Sequence, residues 1–423
     1  MKRKTDVLIV GAGPAGMAAV CTASQSGAKC FVVDDNPNIG GQIWRKESAK
    51  PSTKQAQEWF EKIRKAKFDL LEGTRIVSSL NEKVLLAETT EGFCEIEFSK
   101  LILATGARER FLPFDGWTLP NVMGAGGLQA LVKNGLPIEG KRVLVAGTGA
   151  LLLAVAAYLK KRGANVLLIA EQTSKRKLFK FGLNLFTQPN KISQAFALKK
   201  ELLNIPFKTN CYPISANGRD KLSGVTFQQG RKKFSIECDY LACGFHLLPN
   251  TELAGLLGCE LKDSSVFVDE WQKTSVQNIY CAGEATGIGG VDLSLIEGQI
   301  AGYAVSGEQK KAQMLFAERE KQKRFADSLN QTFELREELK GLATPDTIVC
   351  RCEDVTFGRL SHFNSWREAK LQTRCGMGAC QGRVCGGAVD FLFGWTNESV
   401  RPPIMPVRLE LLTQINKDNI KPA

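Results

Sequence analysis

Histidine is almost missing from this chain. Its 423 residues include two, His246 and His362; neither sits in a pattern with a nucleophile or a paired acid, so both read as structural and no acid–base set is legible. Long apolar runs are missing as well. Val143–Leu159 carries no charge, but it is short for a membrane span and contains Gly147-Thr148-Gly149. The start, Met1-Lys2-Arg3-Lys4 followed by apolar residues, opens like an export signal, yet glycines at 11, 13 and 16 put a turn inside the supposed hydrophobic region. With neither a span nor a signal, a cytoplasmic location is expected. The net charge of +12 is spread over stretches such as 173–200 and 309–324, which read as solvated basic faces and not as a nucleic-acid footprint.

What is present is ordinary in balance and unusual in arrangement. With 43% apolar and 24% charged residues the chain is globular, and its length implies two or three domains. Residues 6–11 read as a buried parallel strand, 14–25 as a helix and Cys30–Val33 as a second strand. The same order recurs at 142–147, 150–162 and 165–169. The expected class is therefore α/β, with two Rossmann-like dinucleotide-binding domains.

In the first of these, Gly11-Ala12-Gly13-Pro14-Ala15-Gly16 joins strand to helix, and Asp34, with Asp35 beside it, ends the next strand. The first glycine permits the tight turn, the second lets backbone N–H groups reach a pyrophosphate, and the third allows close helix–strand packing. Asp34 is placed to accept from a ribose hydroxyl. Further on come Gly40-Gly41-Gln42, the strand end Leu103-Ala104-Thr105-Gly106, and Ile279 through Gly283-Glu284. This series resembles the FAD domain of the two-dinucleotide-binding-domain flavoproteins, which implies FAD and brings Glu284 toward the ribityl chain. A disulfide reductase would need a cysteine pair beside the flavin. Residues 36–60 and 145–210 contain no cysteine.

In the second fold Leu152 stands where the third glycine belongs, and Glu171 ends the following strand. That leaves two readings open, a site for NAD or another adenine nucleotide, and a nucleotide fold kept as scaffold.

Cysteine is unevenly placed. Eight of the thirteen are scattered through residues 1–345 and read as small buried hydrophobes, whereas five lie between 350 and 385. Cys350, Cys352, Cys380 and Cys385 supply four thiolates, with Cys375 a fifth candidate that spacing cannot separate from Cys385. Four thiolates suit a [2Fe-2S] cluster, and tetrahedral zinc competes for the same donors. Cys350-Arg-Cys-Glu and Thr373-Arg-Cys-Gly-Met-Gly-Ala-Cys-Gln-Gly-Arg-Val-Cys385 resemble the bacterioferritin-associated-ferredoxin type of [2Fe-2S] domain. That resemblance implies Cys350, Cys352, Cys380 and Cys385 as ligands and leaves Cys375 in reserve.

Taken with Ala104 through Arg110, Pro113 through Pro120, Ala146 through Leu153 and Cys281 through Gly290, the module resembles the alpha subunits of heteromeric flavin-dependent amino-acid and imino-acid dehydrogenases. The group includes opine oxidases, D-hydroxyproline dehydrogenase, dye-linked proline dehydrogenase and hydrogen cyanide synthase. It implies an electron-relaying subunit whose partner, an amine-oxidising flavoprotein beta subunit with room for a small additional subunit, performs the oxidation. The expected domains are 1–115 with 245–305 for FAD, 116–244 for the second nucleotide fold, a helical linker at 306–345, a small helical [2Fe-2S] domain at 346–400 and an extension at 401–423. The segment Arg401-Pro402-Pro403 through Pro406 reads as a rigid stretch offered to a partner, as does the charged linker. A stand-alone NAD(P)H-dependent oxidoreductase and an iron or redox sensor are the competing readings.

Overall fold

The computed structural model describes residues 1–49, 51–185, 192, 198–396 and 400–409. They fall into two compact units, one of residues 1–108, 248–327 and 400–409, the other of 109–247 and 328–396. The first is built around a mixed sheet with a parallel core, the second around a parallel one.

In the first unit β1 (Lys2–Val10) runs into α1 (Pro14–Ala23) and returns in β2 (Cys30–Val33), followed by β3 (Asp69–Leu71), β4 (Arg75–Asn81), β5 (Val84–Thr89) and β6 (Gly92–Leu103). The sheet order is β3-β2-β1-β6-β5-β4. Strand β6 is long enough to serve two neighbours: Gly92–Glu97 pairs antiparallel with β5, while Leu101–Leu103 pairs parallel with the distant strand Ile279–Cys281. The uninterrupted apolar run of β1 follows from burial on both faces. Val7 and Ile9 pack with α1 in one core, Leu8 and Val10 in another on the opposite face. At full burial each such side chain stabilises by roughly 1.5–3 kcal/mol.

The second unit repeats the device. Strands β7 (Val122–Gly124), β8 (Arg142–Thr148), β9 (Asn165–Glu171), β10 (Phe207–Thr209) and β11 (Tyr240–Phe245) form an all-parallel sheet in the order β10-β9-β8-β11-β7. Helix α2 (Ala150–Lys161) follows β8, and α3 (Lys175–Leu185) follows β9. Val143 and Val145 face one core, Leu144 and Ala146 the other. Leu152, in the third-glycine position, is 1% exposed and fills the space between α2 and the sheet.

The cysteine-rich segment belongs to this second unit. It comprises the strand Ile348–Cys350, the helix α4 (Trp366–Thr373) and the helix α5 (Cys385–Phe393), around a small core that includes Val349, Val355, Trp366 and Val389.

Two stretches read from the sequence as partner surfaces are tied into the chain beside residues that stay exposed. The charged stretch forms the helix Phe316–Thr332, but Phe333, Leu339 and Leu342 beyond it are buried. In the proline-rich segment Ile404 is buried in the first unit's core, its N–H donating to the Val77 carbonyl at 2.8 Å. Arg408 reaches Glu88 at 2.9 Å. Of the extension, 410–423 lies outside the described residues. No described helix is long and apolar enough to cross a membrane.

Candidate cofactor sites

Helix α1 starts with Gly13 as N-cap and Pro14 in its first turn, with no acid there and no side-chain cap. Proline at that position wastes no donor, and the remaining first-turn amides have no intrahelical partner. Three backbone segments converge on this end. A Cβ on Gly16 would stand 1.8 Å from the Gly11 carbonyl, one on Gly41 2.9 Å from the Gly13 Cα, and one on Gly283 2.7 Å from the Ala15 Cβ. Side chains are excluded from all three contacts, leaving a cradle of backbone at a helix N-terminus that suits a pyrophosphate. FAD fits these residues.

The two acids after β2 divide their work. Asp34 Oδ2 accepts the Ala12 N–H at 2.6 Å, and Oδ1 accepts both the backbone and the side-chain N–H of Asn36 at 2.8 Å. It ties the glycine turn to the second strand. Asp35 faces solvent, touched by the Asn36 amide at 3.0 Å, and desolvation by the surrounding chain followed by the charge of Asp34 raises its pKa. Of the two, Asp35 is the more exposed and Asp34 is partly so. Gln42 is exposed, its amide oxygen held by Arg45 at 2.8 Å.

The strand end at Thr105-Gly106 is fixed by a residue that sequence reasoning missed. Asn250 donates its side-chain amide to the Thr105 carbonyl (2.9 Å), takes the Thr105 hydroxyl on its own carbonyl (2.7 Å), and donates its N–H to Gly106 (2.9 Å). Its side-chain oxygen accepts from Arg108 at 2.8 Å, and Arg108 pairs with Glu252 at 2.9 Å. A second missed residue is Glu297, on the helix Gly290–Val305. Its Oε2 accepts the Gly283 N–H at 2.8 Å and the Thr286 hydroxyl at 3.0 Å, which holds the turn bearing Glu284. Burial pushes Glu297 up to about 7 and raises Glu284 as well. Neither Asn250 nor Glu297 stands in a motif, so no local signal marked them.

In the second fold Glu171 is 2% exposed. It accepts the Thr148 hydroxyl (2.8 Å), the Gly149 N–H (2.9 Å) and the Thr173 N–H (2.8 Å), and burial raises its pKa. The chain at 333–336 lies against this turn. The Phe333 carbonyl accepts the Thr148 hydroxyl at 3.3 Å, and the Glu334 carbonyl accepts the Gln172 amide at 3.1 Å. Unlike Asp34, Glu171 has no solvent-facing acid after it, since Gln172 and Thr173 are both buried.

The cysteine cluster gathers all five candidates. Cys350, Cys375 and Cys385 place their sulfurs within 4.8 Å of one another, and Cys380 touches both Cys385 and Cys352. Cys352 is exposed. Accepting from Cys375 and then Cys385 holds the Cys350 thiol far below its usual range, while Cys375 and Cys385 are pushed up. Sulfurs this crowded share protons and favour a multivalent cation among them. A Cβ on Gly378 would stand 2.3 Å from the Cys352 Cβ, and the Trp366 ring lies against Gly376, Gly382 and Gly386. The buried Trp366 Nε1 has no hydrogen-bond partner. Cys350 and Cys385 are brought together as the sequence implied, and so is Cys375, which the resemblance had held in reserve. The eight other cysteines are buried, and burial pushes Cys21 and Cys30, the two on α1 and β2, up to about 11. They are not reactive thiols.

The family model for pyridine nucleotide-disulphide oxidoreductases matches residues 5–309. The chain belongs to that family. Among its relatives, the HcnB subunit of hydrogen cyanide synthase from Pseudomonas aeruginosa is 30% identical over 420 residues, with 90% of each chain covered. An opine oxidase subunit from Rhizobium meliloti is 29% identical over 465 residues, covering 97% of this chain and 87% of that one. Among solved structures, L-proline dehydrogenase from P. horikoshii shares the fold at a TM-score of 0.71 and 19% identity, over 97% of this chain and 80% of that one. Thioredoxin reductase from T. acidophilum shares it at 0.57 and 20% identity, over 73% of this chain and 99% of that one. The FAD/NAD(P)-binding flavoprotein fold is thus present, without the cysteine pair that gave the family its name.

The FAD cradle can be tested at two positions. A Cβ on Gly13 would meet only the Gly41 Cα, at 3.8 Å, and its φ of −73° suits any residue. Gly13→Val should therefore fold and yet purify without FAD, read from the visible spectrum against circular dichroism; a fully yellow variant would refute the cradle. For Glu297, the folded carboxyl keeps its proton up to about pH 7 whereas the ordinary value is 4.5. The folded state binds the extra proton between these values, so stability falls as pH rises through that window, by on the order of 3 kcal/mol. Glu297→Gln should remove that part of the slope in urea unfolding between pH 5 and 8, and identical slopes would show that the carboxyl does not titrate there.

Proposed function

We propose that this chain is the electron-relaying flavoprotein and iron–sulfur subunit of a heteromeric amino- or imino-acid dehydrogenase, in which a partner flavoprotein oxidises the substrate. The observation that carries the reading is the pairing, in one chain, of an FAD cradle lacking a thiol pair with a five-thiol cluster. Similarity along nearly the whole chain to subunits of hydrogen cyanide synthase and opine oxidase supports it.

FAD converts between two-electron and one-electron transfer, and a [2Fe-2S] cluster carries single electrons. The chain's own residues bind and position. The α1 N-terminus and Gly13 receive the pyrophosphate, Asp34 with Asp35 the ribose, and Glu284 the ribityl region, with Asn250 and Glu297 holding the turns in place. Thr105 and Gly106 shape the strand end over the flavin. Cys350, Cys352, Cys380 and Cys385 are the proposed cluster ligands, with Cys375 as a thiol neighbour. The two histidines fit no proton-transfer role: burial keeps His246 neutral, and His362 is exposed. The partner is an amine-oxidising beta subunit, with a possible small third subunit, in the cytoplasm.

A self-contained NAD(P)H reductase is disfavoured by the second glycine turn, whose acid is internally bonded and against which Phe333 lies.

The test uses the isolated, cofactor-loaded subunit. It should contain two irons and two acid-labile sulfides, lost in Cys352→Ser and Cys380→Ser and kept in Cys375→Ser. Loss in Cys375→Ser with retention in Cys352→Ser would reverse the ligand choice, and one zinc without sulfide would end the iron–sulfur reading. Under anaerobic mixing with proline, D-hydroxyproline, glycine, sarcosine, opines, NADH or NADPH, the flavin should remain oxidised. Stoichiometric bleaching by an amino acid without a second polypeptide would place the substrate site in this chain, and bleaching by NADH or NADPH would restore the reductase reading.

A further inference from the structure

The cysteine cluster has one open edge. Cys350, Cys375 and Cys385 are buried and Cys380 is half-buried, whereas Cys352 is exposed. An ion pair sits at this edge. Glu353 follows Cys352 in the chain, Arg374 precedes Cys375, and Arg374 Nε lies 2.8 Å from Glu353 Oε2. The two cysteine-bearing loops are thereby joined side chain to side chain. The Glu353 side chain is 19% exposed and that of Arg374 65%, so the carboxylate is the partner drawn into the module.

Both residues are placed by the backbone around them. The Glu353 N–H donates to the Cys350 sulfur, as does the Gly376 N–H. A Cβ on Gly378 would stand 2.3 Å from the Cys352 Cβ, 3.0 Å from Glu353 Oε1 and 3.4 Å from the Cys352 sulfur. The bare glycine lets its loop close over Cys352, and carboxylate and sulfur meet at the same spot. Arg374 ends helix α4 with a φ of 64°, its N–H donating to the Lys370 carbonyl at 2.9 Å. Glycine is the unstrained residue for a left-handed helix end, and a side chain kept there points to a use for it. Here that side chain is the one that reaches Glu353. The Arg374 carbonyl accepts the Met377 N–H at 2.8 Å, which starts the turn leading to Gly378.

We infer that Glu353 and Arg374 are positioning residues of the iron–sulfur site, clasping the Cys350–Cys352 loop to the Cys375–Cys380 loop and setting the potential at the exposed edge. The inference rests on the iron–sulfur reading above. Cluster potentials follow net charge, N–H donors to sulfur and solvent exposure. A carboxylate beside Cys352 opposes the electron that reduction adds, and the guanidinium bound to it offsets that opposition. An ion pair with an exposed partner contributes little to stability, so the clasp acts on the ease of reduction more than on folding.

The test is a potentiometric titration of the full-length, cofactor-loaded protein, followed by electron paramagnetic resonance of the reduced cluster, with iron and sulfide assayed in each variant. Glu353→Gln leaves the guanidinium unopposed and should raise the midpoint potential, whereas Arg374→Gln bares the carboxylate and should lower it. The double variant should fall between the two, and Arg374→Lys should return most of the shift. Arg367→Gln, which removes an exposed cation on the same helix, should leave the potential where it was. A clasp with a purely structural role would shift both single variants the same way or strip both of iron. Either result, or unmoved potentials with the cluster intact, overturns the inference. If Arg374→Gln alone loses its iron, the isosteric Glu353→Gln decides, and a fall or no change in its potential counts against the inference. Wild-type protein without iron and sulfide would end the iron–sulfur reading itself, and this inference with it.

Discussion

The flavin cradle depends on one steric constraint: backbone must pass backbone at distances no side chain survives. The Gly11 carbonyl and Gly16 meet so closely that any Cβ would collide, and this contact sets α1 down on the sheet with its amide end facing the turn. Because the turn is stripped of side chains, its shape must be held by something else. Asp34 does this by accepting the Ala12 N–H, while Asp35 beside it stays exposed.

The second fold shows the same constraint met differently. Gly147 is pressed against the Gly244 carbonyl, where a Cβ would stand 1.8 Å away, so the turn itself is kept. The third position is filled by Leu152, which adds apolar burial between helix and sheet at the expense of close approach. Glu171 repeats the role of Asp34 but is wholly buried, and the 333–336 segment supplies the remaining contacts. The first turn is followed by an exposed acid, whereas the acid of the second and the two residues after it are buried.

Buried carboxyls recur as clamps on glycine-rich turns. Glu109 accepts the Gly126 and Gly127 N–H groups at 2.7 and 2.9 Å, as Glu297 does for Gly283 and Glu171 for Gly149. Burial raises all three. A neutral or partly neutral acid still accepts a hydrogen bond, so these clamps satisfy orphan amides without the full penalty of an unpaired buried charge. These carboxyls thus hold the turns from beneath.

How far the sequence reached depended on separation along the chain. The strands β1 and β8, the glycine turns, the acids after β2 and β9 and the five clustered cysteines were legible, because strand burial, tight turns and thiol crowding leave signatures within a few residues. The sequence also showed what was missing, a cysteine pair beside the flavin and a histidine-based catalytic set. Only the tertiary structure decided that Asp34 ties down the Ala12 turn while Asp35 is the more exposed, that Cys375 joins Cys350 and Cys385, and that Asn250 and Glu297 hold turns 145 and 14 residues away. It alone returned Ile404 to the first unit and Phe333 to the second glycine turn. These are contacts between segments far apart in sequence, fixed by which faces the sheets leave uncovered. No local pattern of residue types encodes which distant segment will cover them.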